Sequence, residues 1–355
     1  PKAIRPFAGY VFLLFATDRY DSVFPLVQDW ESRLLSRSFQ ELYTSSSHNV
    51  RRLYERTANF FLNTVSSLAA QRPEEKYQKY AADVILRWKQ LYAEEEAFQY
   101  QQLAQSDAPE IVKLRSSLTE ARSKLSQAWL QKKNEEELAL LMDDYNVAET
   151  ALLAETKRFK SHLEVEKASF DKILPALPRN SGLIEYRRFR SVDLKAHKTE
   201  ELHVAALLLL ADSKNKRRFI FRDLGPYAEI GKLMDDSKQI KTNIAYVTKQ
   251  LQENQKRKTV AALLQEQLKI LEKETEENNI ETYRALISPF EDQIKNLKQL
   301  YIAPDGPLNL ISFASLRLPD GRFLAERQQI NRLQTGRDLL EDKEDVPAGK
   351  GMVAI

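Results

Sequence analysis

The sequence predicts an α+β protein: a mostly α-helical N-terminal half, followed by an incomplete α/β domain. Apolar residues recur at steps of three and four through most of residues 1–170, which places them on one face of a helix. After residue 182, short apolar runs alternate with turn residues, as is typical of strands. The chain has only nine glycines in 355 residues, which also favours long helices.

Residues 1–45 are predicted to form two amphipathic helices joined by a turn at Thr17-Asp18. One such pair cannot bury both of its faces, so we expect it to end a longer helical array of the tetratricopeptide type. A signal peptide is the alternative for the apolar start, but no small-residue cleavage site follows it. The apolar positions are Phe7, Tyr10, Val11, Leu14 and Phe15, then Tyr20, Val23, Phe24, Val27 and Trp30.

Residues 46–174 are predicted to be a helical linker. One helix is expected over 50–70, and another after Pro73, because proline is tolerated in the first turn of a helix. Within 110–165 an apolar seam runs from Ile111 to Phe159, with an interruption at 131–136. We favour a hairpin of two antiparallel helices here, and one continuous coiled coil is the alternative.

Residues 175–355 are predicted to form the α/β domain. The proline- and glycine-containing segment 175–182 has the composition of a linker, so we expect proteases to cut near 173–182 or in the polar segment 341–350. Predicted strands cover 183–190, 203–211, 218–222, 300–303 and 351–355. Two or three helices, over 227–279 and 280–297, separate the third strand from the fourth.

Two Pro-Asp-Gly triplets, at 304–306 and 319–321, are predicted to be tight turns. Proline fixes φ at the first corner, aspartate bonds its own backbone, and glycine adopts a positive φ.

This region resembles the start of a CHAT domain, the caspase-like module often found after tetratricopeptide repeats. The matching pieces are the strand from Leu300 to Ala303, the first turn with Leu308, the run from Ile311 to Leu316, and the segment from Gly321 to Gly336. Ser312 stands where the family pattern usually has proline. A thinner similarity extends back over Leu183 to Lys232.

The resemblance implies a caspase-like fold whose catalytic His and Cys lie on strands beyond Ile355. We therefore expect a fragment that contains only the non-catalytic part of the domain. An unpaired strand at 351–355 would favour self-association, and a disordered C-terminus is the alternative.

The residues themselves also argue against catalysis by this chain. It has no cysteine, which excludes a cysteine nucleophile, cysteine zinc sites and a disulfide framework. The four histidines are expected to be structural or solvated, and no metal, cofactor or catalytic residue is assigned. They are His48, His162, His197 and His203.

The net charge of +3 is too small to indicate nucleic-acid binding. Basic clusters at 187–190 and 214–218 are interpreted as charges that guard edge strands, with single-stranded nucleic acid as the alternative ligand. No apolar run is long enough to cross a bilayer, so we expect a cytoplasmic protein without a membrane partner.

The sequence thus predicts the regulatory, partner-binding part of a CHAT caspase-like protein, with a protein partner bound by the helical region. A helical scaffold without protease activity is the alternative. A His strand and a Cys strand after Ile355 would distinguish the two.

Overall fold

The structure is a computed structural model that describes residues 4–44, 48–89, 100–155, 168–193, 198–211 and 217–340. The chain divides into two compact units. Unit 1 comprises Pro1–Thr64, Gln90–Glu166 and Val192–Lys198, and unit 2 comprises Val65–Lys89, Lys167–Ser191 and Thr199–Ile355. The borders predicted at 45/46 and 174/175 stay predictions. None of the described helices is both long and apolar enough to cross a bilayer.

Unit 1 is mostly helical in its described part, and only residues 192, 193 and 198 of it are in strands. The indole of Trp30 packs edge-on against Phe61, with ring centroids 5.3 Å apart. Two helices are separated by a short turn in which Lys132 has φ 53°, and they pack side by side as the predicted hairpin. The Asn134 side chain begins the second helix by accepting a hydrogen bond from the Glu137 N–H (2.8 Å). The helices are α1 (Ile4–Ala16), α2 (Tyr20–Thr44), α3 (His48–Gln71), which continues into unit 2, α5 (Pro109–Leu130) and α6 (Glu135–Ala154).

Unit 2 is built on a five-stranded mixed sheet in the order β3-β2-β1-β4-β5. β1 pairs with β4 in parallel, β4 pairs with β5 in parallel, and β2 pairs with β3 in antiparallel orientation. The described part of the chain thus confirms the α+β class. The strands are β1 (Ser181–Asp193), β2 (Lys198–Ala211), β3 (Arg217–Pro226), β4 (Gln299–Ala303) and β5 (Gln329–Arg332).

Helices cover both faces of the sheet. Alternate residues of each strand point to opposite sides, so each strand contributes to two separate hydrophobic cores. Ile184 and Ile302 belong to the core that includes Tyr283 and Leu286. Leu183 and Ala303 belong to the core that includes Leu86. The helices of unit 2 are α4 (Glu75–Trp88), α7 (Phe170–Ala176), α8 (Tyr227–Glu253), α9 (Lys258–Leu286), α10 (Glu291–Ile294) and α11 (Leu324–Arg327).

Four predicted strands lie where the sequence placed them, and the structure adds β5. The strand predicted at 351–355 lies outside the described residues. Of the two or three helices predicted over 227–279 and 280–297, the structure has three, α8, α9 and the short α10. The chain turns at 254–257 between α8 and α9, and the border predicted at 279/280 lies inside α9. Asn254 ends α8, and its side-chain amide donates to the Gln250 carbonyl (2.9 Å).

The segment 175–182 lies inside unit 2 rather than between compact units. Leu177 and Ser181 are buried, and so are Ile173 and Leu174 in α7. Asn180, with φ 60°, makes the turn into β1. Pro175, Ala176, Pro178 and Arg179 are exposed, but the buried side chains between and beside them hold the segment on unit 2, so we expect less protease access than the sequence predicts.

Candidate functional site

The most unusual group of side chains in unit 2 is a fully buried ion pair between α4 and β1. The Lys89 ammonium lies 2.8 Å from Oε1 of Glu185, and both side chains have 0% exposure. Lys89 Nζ also donates to the carbonyl oxygen of Ala303 at the end of β4 (2.8 Å). The second Glu185 oxygen accepts a hydrogen bond from the Gly336 N–H (2.7 Å).

Arg337 extends this buried ionic cluster by satisfying the end of α4. Its Nη1 donates to the carbonyl oxygens of Leu86 (2.5 Å) and Arg87 (2.9 Å), and its Nη2 donates to that of Lys89 (2.6 Å). The last carbonyls of a helix have no partner within the helix, and a cation at this end is also favoured by the helix dipole. Arg337 thus joins α4 to the segment after β5.

Complete burial raises the pKa of the Glu185 carboxyl, and this exceeds the opposing effect of the Lys89 charge. The pair has excellent geometry, which a buried ion pair needs to offset the loss of hydration. Both charged groups are shielded from solvent, so a substrate cannot reach them. The arrangement therefore holds α4, β1, β4 and the 336–339 turn together rather than performing acid–base chemistry.

A second polar cluster surrounds Asp305, immediately after β4. Its carboxylate accepts from the Arg188 N–H (2.7 Å) and lies 3.5 Å from the Arg187 guanidinium. Burial lowers the pKa of Arg187, and Asp305 opposes this shift. Gly306 has φ 54°, as predicted. The predicted tight turn is wrong here, because Asp305 is extended and Gly306 begins a 3-10 helix, Gly306–Leu310. The Asp305 side chain binds the neighbouring strand β1 instead of its own backbone.

The second Pro-Asp-Gly triplet forms the predicted turn. Gly321 has φ 85°, and Asp320 accepts from the Arg322 N–H two residues on (3.1 Å). Arg317 and Phe323 pair across it as an isolated antiparallel bridge.

A third cluster connects α9 to α10 and α11. The Tyr283 hydroxyl hydrogen-bonds Glu291, and Arg327 Nη1 contacts Glu291 Oε1 at 2.5 Å. Burial and the Glu291 hydrogen bond raise the pKa of Tyr283 to about 12.

The histidines are not brought together in the described residues. His203 on β2 lies with Nδ1 2.8 Å from the Asp223 carboxylate on β3, and its ring packs against Phe189. His48 is the first residue of α3, and His162 and His197 lie outside the described residues. Among the described residues, no group of three or more His, Asp or Glu side chains could hold a metal ion.

The edge-strand interpretation of residues 187–190 is wrong. β1 lies in the middle of the sheet, and its Arg187 and Arg188 face Asp305. In the other basic cluster, residues 214–216 lie outside the description, whereas Arg217 and Arg218 do lie on the edge strand β3.

The three clusters share a segment of the chain, because each includes residues between 281 and 340. Gly336 and Arg337 complete the first cluster, Asp305 the second, and Tyr283, Glu291 and Arg327 the third. Residues 281–353 match the family model of the CHAT domain.

The CHAT match confirms the resemblance seen in the sequence over this segment. The thinner similarity over residues 183–232 lies outside the matched segment. Among curated proteins, none matches the chain. In the structure, the CHAT segment supplies β4, β5 and the turns that complete the buried clusters of unit 2.

Sequence reasoning missed the buried ionic cluster. The available signal was Glu185, a carboxylate in the otherwise apolar start of β1, because such a residue is almost never fully buried without a partner. Lys89 gave no comparable signal, since a lysine at the end of an amphipathic helix is usually solvated.

Proposed function

We propose that this chain is the regulatory, partner-binding and non-catalytic part of a CHAT caspase-like protein. The observation that carries the proposal is the CHAT segment in a chain without cysteine. Caspase-like peptidases require a thiolate nucleophile and a histidine that accepts its proton. The chain has no thiol, and its His203 side chain pairs with Asp223, so that combination is missing from this chain.

The α5–α6 hairpin of unit 1 supports partner binding. Trp129 and Leu130, beside the hairpin turn, are 60% and 84% exposed. Leu140 and Val147 are also largely exposed, and their spacing of seven residues puts them on one side of α6. Large apolar side chains grouped on a surface are typical of interaction sites, and tryptophan is enriched among the residues that contribute most binding energy.

A hairpin variant tests this surface: Trp129→Ala, Leu130→Ser, Leu140→Ser and Val147→Ser together. Wild type and variant are used for affinity purification from the cells that naturally make the protein. We expect a stoichiometric partner with wild type that is lost with the variant. A control with the exposed residues Gln131, Lys133, Glu136 and Asp144 changed to alanine should retain it. Equal recovery with all three proteins would contradict the proposed surface.

The absence of catalysis is tested separately with purified chain and fluorogenic peptide libraries. We expect no turnover above buffer, and no effect of thiol-alkylating reagents. Turnover that persists through repeated purification and is lost on changing His203 would contradict the proposal.

A further inference from the structure

The strand β3 lies at one edge of the sheet in unit 2. In the order β3-β2-β1-β4-β5, no strand of the described residues lies beyond it. The direction of its backbone groups follows from β2. The Ala211 carbonyl accepts a hydrogen bond from the Asn180 N–H, just before β1 (2.7 Å), so the backbone groups of Ala211 face β1. Those of the preceding residue, Leu210, therefore face β3.

The same alternation shows which backbone groups of β3 face outward. Leu210 lies opposite Arg218 in the register of the two strands. Arg218, Ile220 and Arg222 therefore use their N–H and C=O groups to bond β2, and Phe219 and Phe221 direct theirs away from the sheet. In the part of the chain that the structure describes, these outward groups have no partner. β3 thus presents an open edge to which another strand can bond.

The open edge is basic on one face of the sheet. Arg218 and Arg222 are exposed, and they lie on the same face of β3 with Ile220 between them. The residues of β2 opposite these three positions are apolar. The acidic residue of β3, Asp223, is on the other face, where it binds His203.

Neither arginine has an acidic partner among the described residues. The Arg222 guanidinium lies over the Phe290 ring, 5.7 Å from its centroid. The two acidic residues that follow Phe290 in the chain pair with Arg327 and Lys295 instead. The positive charge of this edge is therefore available to a ligand.

We propose that β3 binds an extended acidic segment of a partner protein, which adds to the sheet as a further strand. The backbone of this segment hydrogen-bonds Phe219 and Phe221, and its carboxylates lie opposite Arg218 and Arg222. Opposite charges directly across two strands stabilise their pairing, and like charges destabilise it. The arginines thus guard the edge against basic strands and against β3 of a second copy, and they select an acidic one.

Single-stranded nucleic acid also carries negative charge, but it fits this edge less well. The outward N–H and C=O groups alternate along β3, and a peptide backbone supplies both the acceptors and the donors that match them. A phosphate backbone supplies acceptors only, and so leaves the carbonyl oxygens of Phe219 and Phe221 unpaired. An acidic peptide matches both the charge and the backbone groups.

A synthetic peptide and the full chain test the proposal. The peptide alternates glutamate and valine over about seven residues, close to the length of an ordinary strand, and carries fluorescein. Fluorescence anisotropy at low salt should give a dissociation constant on the order of tens of µM. This constant should increase with salt, because the ion pairs are exposed. A matched peptide with lysine in place of glutamate should bind at least about 10-fold more weakly.

Two methylated peptides separate strand addition from attraction between charges alone. One has N-methyl groups on the valine amides, and the other has them on the glutamate amides. Only alternate amides of a strand face the same neighbouring strand. One of the two peptides should therefore bind at least about 10-fold more weakly than the unmethylated peptide, and the other should bind equally well.

Variants of the full chain test the arginines. Arg218→Glu with Arg222→Glu should weaken binding of the glutamate peptide at least about 10-fold and strengthen binding of the lysine peptide. Circular dichroism should not change, since both residues are exposed. The control variant Lys249→Glu with Lys269→Glu alters the net charge equally on exposed positions of α8 and α9, and it should bind as wild type does.

Several results would overturn the proposal. They are absence of binding by the glutamate peptide, equal binding by the lysine peptide, an equal effect of the two methylations, and full binding by the Arg218 and Arg222 variant. A single-stranded oligouridine of about 12 nucleotides provides a further comparison. If it binds more tightly than the glutamate peptide and is lost in the same variant, the edge binds nucleic acid instead.

Discussion

Replacing Lys89 by methionine tests the buried ionic cluster most directly. Methionine keeps most of the side-chain volume but leaves the Glu185 carboxylate, 2.8 Å from the former ammonium, without its counter-ion. Removing one partner of a buried ion pair costs about 3–5 kcal/mol. The Ala303 carbonyl also loses its Lys89 donor, which adds to the cost. We expect Lys89→Met to lose about 4 kcal/mol of unfolding free energy at neutral pH.

The loss should depend on pH with a definite sign. Burial already raises the pKa of Glu185, and removal of Lys89 raises it further. A folded carboxyl with a raised pKa binds more protons than the unfolded one, so stability falls as pH increases up to the folded pKa. Consider pH values between the pKa of folded Glu185 in the wild type and its higher pKa in Lys89→Met. Over this range the stability lost by the variant, relative to the wild type, should grow by about 1.4 kcal/mol per pH unit.

Urea unfolding at several pH values between about 5 and 8 measures both quantities. Trp88 immediately precedes Lys89 and is buried, so its fluorescence reports locally once Trp30 and Trp129 are changed to phenylalanine. Glu185→Gln should lose a similar unfolding free energy at neutral pH. That loss should not grow with pH, because the variant has no titrating carboxyl at this position. Lys295→Met, at an exposed pair with Asp292, should change stability by less than about 1 kcal/mol. A loss below about 1 kcal/mol for Lys89→Met, or a deficit that does not vary with pH, would refute the reasoning.

Three further outcomes follow from local geometry. Gly321→Ala should cost about 1–2 kcal/mol in urea unfolding, because its φ of 85° lies outside the left-handed region that other residues adopt. Gly306→Ala should cost less, because its φ of 54° is within that region and its Cβ would meet only the movable end of the Arg188 side chain; the reverse order would contradict this. The wild type should lose stability between pH 10 and about 12, because the folded Tyr283 phenol has a higher pKa than the unfolded one and binds its proton more tightly. Tyr283→Phe should show less of this loss, and identical curves of stability against pH for the two proteins would count against it. Limited proteolysis mapped by mass spectrometry should spare 173–182, where Ile173, Leu174 and Leu177 are buried, and early cleavage there would show that α7 is not packed as described.

Local patterns in the sequence predicted much of the fold. Steps of three and four predicted the helices of both units, and the apolar run around residues 204–210 predicted β2. Glycine at the third position of both Pro-Asp-Gly triplets predicted the positive φ at Gly306 and Gly321. These features depend on residues close together in the chain, so a sequence shows them directly.

Features that depend on distant partners could not be predicted in this way. The central position of β1 is set by its pairing with β4, across more than a hundred residues. Arg187 and Arg188 therefore look like edge charges until Asp305 is placed beside them. The same limit applies to Lys89, whose burial is decided by Glu185 and Ala303 rather than by its own helix.

The hydrogen bonds from Arg337 to the end of α4 have a consequence for folding during synthesis. The carbonyl oxygen of Lys89 and the Arg337 guanidinium that binds it are 248 residues apart. Ribosomes release the N-terminal side first, so α4 is synthesised long before its last carbonyls can find this donor. Until then Lys89 and the end of α4 remain hydrated, and unit 2 cannot close. Contacts this distant in sequence slow folding. The elements that cover the apolar face of α4, α7 and β3, are made earlier than Arg337. The end of α4 is therefore the last part of the helix to gain its partners, and a chaperone would have access to it until residue 337 is made.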